Sequence, residues 1–110
     1  MPFQSDRPDP ATVVDDFEGE HLNRTRWLPA YLPAWSSVRA AAASWTVRDS
    51  LLRLTIPPDH PIWCEGDHRP PLRVSAVQSG NYSGPVGSSL GQQPYREGLR
   101  VQEEQAPFWG

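Results

Sequence analysis

Five side chains suited to metal binding or nucleophilic chemistry fall close together: His60, Cys64, Glu65, Asp67 and His68. Histidine and cysteine are good zinc ligands, but a structural zinc takes four nitrogen or sulfur ligands and only three are local. Pro61 and Gly66 break any helix that would bring positions 60, 64 and 68 onto one face. No metal site and no cofactor is expected. Cys64 is the sole cysteine, so no internal disulfide can form. Glu65 and Asp67 beside it would raise a thiol pKa, which argues against a nucleophile.

Paired carboxylates are the second kind of chemistry to test. A retaining glycosidase needs a nucleophile and an acid/base carboxyl about 5–5.5 Å apart. The acid pairs are Asp15 with Asp16, Glu18 with Glu20, Glu65 with Asp67, and Glu103 with Glu104. Adjacent residues on a strand point to opposite faces, which removes Asp15/Asp16 and Glu103/Glu104 as dyads. Glu18/Glu20 and Glu65/Asp67 have a two-residue spacing but lie in Gly/Pro-rich loops, with no third acid in register. No catalytic residue is therefore assigned. Aromatic rings stack on the C–H faces of sugars, and Trp35 and Trp63, both in loops, are the candidate platforms. Trp27 and Trp45 read as core. Asn23-Arg24-Thr25 and Asn81-Tyr82-Ser83 match the glycosylation acceptor pattern, but without a secretion signal both read as chance.

These residues need a scaffold, and 110 residues suit one domain. Pro (13) and Gly (8) are frequent enough to demand many turns and long loops. Residues 1–12 read as a flexible leader. Residues 12–17, TVVDDF, read as a first strand. Pro29 and Pro33 make residues 19–35 an aromatic loop, and residues 39–43 carry a short helical propensity. The clearest signal is a hairpin at residues 44–56, SWTVRDSLLRLTI, with Leu52, Leu54 and Ile56 facing the core. Five prolines make residues 57–72 a loop, residues 73–79 read as a strand, and residues 99–103 as a last one. Short strands between turn-rich loops give an all-β sandwich.

The net charge of −3 provides no electrostatic footprint for nucleic acid. All the basic residues are arginine and they are scattered. No stretch approaches the ~20 apolar residues of a membrane span. No basic start with an apolar run marks a signal peptide, so the expectation is cytoplasmic, or secreted if the true N-terminus is missing.

Asp15, Asp16 and Phe17, followed by Gly19, Leu22, Asn23 and Trp27, resemble the opening of family 16 glycoside hydrolases. The hairpin from Trp45 to Leu54 is similar to their next element, with Ser50 where the family usually carries Gly. Val77, Gln78, Ser79 and Gly80 resemble the segment that follows, where strands approach the cleft, which implies Gln78 and Ser79 as candidate hydrogen-bonding residues for a sugar. The resemblance covers residues 13–110 and implies a concanavalin A-like jelly-roll β-sandwich of the lectin/glucanase type. It also implies a concave cleft for a polysaccharide or oligosaccharide ligand. The family's Glu-x-Asp-x-(x)-Glu signature has no counterpart here. The expectation is thus the N-terminal part of a retaining, β-glucan-type hydrolase, truncated and inactive by itself. The alternative is a non-catalytic, lectin-like carbohydrate-binding module. An incomplete sandwich would leave open strand edges, through which self-association is expected.

Overall fold

The computed structural model describes residues 15–110. The leader at 1–12 and the first half of the expected strand at 12–17 lie outside them. Among the described residues, regular structure is mostly strand, with little helix. Strands β1 (Ser44–Arg48) and β2 (Leu51–Thr55) form one antiparallel pair, and β3 (Gly80–Asn81) and β4 (Phe108–Trp109) form another. A 3-10 turn at Pro33–Trp35 leads into α1 (Val38–Ala41). The Ser37 hydroxyl caps α1 by accepting from the Ala40 N–H at 3.0 Å. No helix among the described residues is long and apolar enough to cross a membrane.

The hairpin forms where the sequence places it. Asp49 and Ser50 both adopt positive φ, 52° and 60°, as a two-residue turn of the I′ kind requires. Arg48 then pairs with Leu51, Val47 with Leu52, Thr46 with Arg53, Trp45 with Leu54 and Ser44 with Thr55. Ser75 closes the open end of the ladder. Its hydroxyl accepts from the Ser44 N–H at 3.1 Å and donates to the Thr55 carbonyl at 2.5 Å.

The burial of this hairpin departs from expectation. Trp45, Val47, Leu52 and Leu54 share one face, as alternation requires, but only Val47 is buried. Leu52 is half-buried, while Leu54 is 38% and Ile56 is 54% exposed. The physical reason is that the core is built from loops and lies beyond the reach of the β2 side chains. It comprises Ala30, Leu32, Ala34, Trp35, Ala41, Trp63, Cys64, Leu99 and Val101. Single bridges stitch the loops together: Leu28 with Gln78, Ala30 with Ala42, Trp63 with Leu72 and Ser83 with Gly91.

Three expected strands are absent as ladders among the described residues. Asp15 to Phe17 is irregular because Asp15 Oδ1 accepts from the Phe17 N–H at 2.8 Å, closing a local turn, and Phe17 sits at φ 52°. Residues 73–79 form no ladder and make only the Leu28–Gln78 bridge, with a bend at Ser79. Residues 99–103 bond to loops: Val101 N–H donates to Ser88 O at 2.8 Å and Gln102 N–H to Ala34 O at 2.7 Å. Leu99 and Val101 are nonetheless buried, so their apolar pattern marks core without marking sheet.

Candidate functional site

The two tryptophans expected to present ring faces to a sugar are core residues. Trp35 and Trp63 are each 3% exposed. Trp35 Nε1 donates to Gln92 O at 2.6 Å, and the Gly91 backbone lies directly against the indole. Trp63 Nε1 donates to Leu32 O at 3.3 Å, and its ring meets Tyr31 edge-on with centroids 5.2 Å apart. Neither ring has an open face. Aromatic residues in Pro-rich loops usually have to be anchored, and here the anchoring consumes both. Trp27 is half-buried, donating to Asp15 Oδ2 at 2.8 Å and stacking on Phe17.

Gln78 and Ser79 lie together at a cleft of about 360 Å³, lined also by Tyr31, Gly80, Gln92 and Gln93. The scaffold fixes Gln78. Its Oε1 accepts from the Leu32 N–H at 2.6 Å, and its Nε2 donates to Gly80 O at 2.9 Å. Gln92 Nε2 reaches the same Gly80 carbonyl at 3.3 Å. Two amides thus converge on one carbonyl and form a rigid floor. The exposed Ser79 hydroxyl and Gln93 amide make no hydrogen bond among the described residues, which leaves donors and acceptors free at the rim. Among the described residues no acidic or basic side chain lines the cleft. Gln92 and Gln93 escaped the sequence reading. The signal was there, in two amides set between the turn residues Gly91 and Pro94, and Gln93 indeed takes φ 42°.

The cluster at 60–68 does not converge. His60 is buried, with Nε2 at 2.7 Å from Val74 O and Nδ1 at 3.1 Å from Ser44 Oγ. A carbonyl only accepts, so Nε2 carries a proton toward Val74 O. The Cys64 thiol is buried and donates to Trp35 O at 3.1 Å. Burial, ahead of the nearby Asp67 charge, pushes that thiol up to about 11. Asp67 instead faces outward, where Arg96 binds it twice, Nη2 to Oδ1 at 2.7 Å and Nε to Oδ2 at 3.1 Å. The Tyr95 hydroxyl also donates to Asp67 Oδ2. The guanidinium first and then the phenol hold the Asp67 carboxyl down at about 2. His68 lies against the rings of Trp63 and Tyr95. Among the described residues no group of three such side chains is placed to hold a metal ion.

The remaining acids are also dispersed or engaged. The Phe17 N–H, and then the Trp27 indole, hold Asp15 below the usual carboxylate range. Glu103 Oε1 accepts from the Val38 N–H at 2.7 Å and from Gln105 Nε2 at 3.2 Å. Of the two glycosylation-pattern asparagines, Asn23 is exposed while Asn81 is buried and donates to Gln105 Oε1 at 2.9 Å. No protein-family model, no curated protein and no solved structure matches this chain.

Proposed function

We propose that this chain binds a neutral carbohydrate without hydrolysing it, using the cleft around Gln78, Ser79, Gln92 and Gln93. The observation that carries the reading is the makeup of that cleft. Fixed amides form its floor, an unbonded hydroxyl and amide form its rim, and no charge lines it. Sugar hydroxyls pair well with amides and hydroxyls, and a neutral polyol gains nothing from a charged lining that must first be desolvated. Tyr31, half-buried at the cleft wall, supplies an aromatic surface. The binding-module reading is favoured over a hydrolytic one because no carboxyl is at hand to serve as nucleophile or acid. The resemblance to family 16 glycoside hydrolases supports the same ligand class. It also supports assigning the short antiparallel strands to a jelly-roll sandwich of the lectin/glucanase type.

Calorimetric titration with oligosaccharides from laminarin, lichenan and agarose tests the reading. A shallow neutral site should bind one of them with a Kd of about 0.1–1 mM. Gln93→Ala should weaken that binding about fivefold by removing a rim donor. No reducing sugar should be released. Heat changes indistinguishable from dilution for all three ligands would overturn the assignment.

A further inference from the structure

We infer that β2 is a docking edge for a second copy of this chain, paired antiparallel with its twin about a two-fold axis at Leu54. Three observations converge. First, the edge is free: no backbone-to-backbone hydrogen bond joins β1 or β2 to any other described segment, and of the ladder Ser75 bonds only Ser44 and Thr55, at its open end. In a hairpin closed by a two-residue turn, Arg48 with Leu51 and Thr46 with Arg53 are the hydrogen-bonded pairs. The N–H and C=O groups of Leu52 and Leu54 therefore point away from β1. Second, the strand itself is uncovered: every residue from Arg53 to Ile56 is exposed. β1, by contrast, carries the buried Val47. Open edges of this kind template pairing.

Third, one register is self-complementary. An axis at Leu54 sets Leu54 opposite its twin, Leu52 opposite Ile56 and Arg53 opposite Thr55. Residues of even number meet residues of even number, so the outward donors and acceptors face each other. The apolar side chains Leu52, Leu54 and Ile56 then gather on one face. Pro57, which lacks an N–H, falls at a position whose N–H would not point across the interface. The neighbouring registers are worse. An axis at Arg53 opposes two guanidinium groups, and like charges directly opposite are destabilising. An axis at Leu52 sets Ile56 against Arg48. The occupant is thus a second copy, held by a continuous four-stranded sheet. This edge is separate from the Gln78 cleft, and its use does not depend on the carbohydrate reading.

Sedimentation velocity of the whole chain, from about 1 to 100 μM, reads the association directly. The expected result is a concentration-dependent monomer–dimer equilibrium. Thr55→Lys, which opposes Lys to Arg53 twice in the dimer, should weaken it about tenfold, and Thr55→Glu should strengthen it. Both substitutions are at an exposed position, and unchanged circular dichroism confirms that they leave the monomer intact. Leu54→Cys provides a second reading. Hydrogen-bonded antiparallel pairs bring Cα atoms to about 5.5 Å, so this variant should cross-link to itself with a short bis-maleimide. A chain that stays monomeric throughout, a dimer indifferent to the sign at position 55, or a Leu54→Cys variant that fails to cross-link would each overturn the proposal.

Discussion

Gly91→Ala should be among the most damaging single-methyl changes in the molecule. A Cβ at position 91 would lie 2.7 Å from Trp35 Cζ2 and 2.8 Å from Cη2. Carbon atoms in contact prefer about 3.5–4.0 Å, so one partner must retreat by roughly an ångström. Trp35 cannot retreat, because it is buried in the core and tethered through Nε1 to Gln92 O. The loop must move instead, straining the Ser83–Gly91 bridge and the Gln92 carbonyl contact. Overpacking of this kind costs about 1–3 kcal/mol. Loss of the indole hydrogen bond would add about 1 kcal/mol. The total is about 2–4 kcal/mol, a large share of the ~5–15 kcal/mol that holds a domain together. Gly80→Ala is the matched control. Its Cβ would approach Trp109 Cε3 and Cζ3 at 3.0 Å, but that ring is 70% exposed and can swing aside. Its cost should stay within about 0.5 kcal/mol. Urea denaturation followed by tryptophan fluorescence measures both. Because Gly91 precedes Gln92 and Gln93, its substitution should also weaken carbohydrate binding in whatever folded fraction remains. Equal stability losses in the two variants would refute the reasoning.

Three further outcomes follow from the packing and the charges. Val101→Ala, at a side chain 1% exposed, should cost about 2 kcal/mol, whereas Leu51→Ala, 62% exposed, should cost little, as chemical denaturation will read. The Asp67 carboxyl is held at about 2 when folded, below the 3.8 of an ordinary aspartate. Its depressed pKa means that its contribution is present above about pH 4 and is lost as pH falls toward 2. Asp67→Asn should flatten that part of the stability–pH curve, measured by thermal melts at low ionic strength. Cys64, buried and raised to about 11, should resist a thiol reagent at neutral pH in the native chain and react at once in denaturant.

The hairpin was legible in the sequence because its signal is local. The polar run Arg48-Asp49-Ser50 between two alternating segments marks the turn, although only Asp49 and Ser50 take the positive φ it demands and Arg48 pairs with Leu51 as the last residue of β1. Burial of that hairpin was not legible, because it depends on what packs over it. Alternation placed Leu52, Leu54 and Ile56 on one side of the strand but could not say that the core would gather around Trp35 and Trp63 instead. The same limit governs the site. Exposure of an aromatic in a loop depends on long-range contacts, such as the one between Trp35 and Gln92, 57 positions apart. Gln78 and Ser79 were found from their segment, while Gln92 and Gln93 join them only through the fold. β4 was invisible for a related reason: two residues carry no periodicity, and only pairing with Gly80 and Asn81 makes them a strand. The acids at 65 and 67 lie close in sequence yet engage different surroundings, since Asp67 alone meets Arg96 and Tyr95.

The central claim is that the Gln78–Gln93 cleft holds a neutral sugar and leaves its glycosidic bonds intact. Amide-resolved NMR titration with laminarin-, lichenan- and agarose-derived oligosaccharides tests it most directly, with the same samples assayed for reducing ends. The account predicts saturable shifts confined to Tyr31, Gln78, Ser79, Gly80, Gln92 and Gln93 for at least one ligand, and no new reducing ends. Shifts centred elsewhere, no shifts with any of the three ligands, or steady cleavage by repurified protein would contradict it.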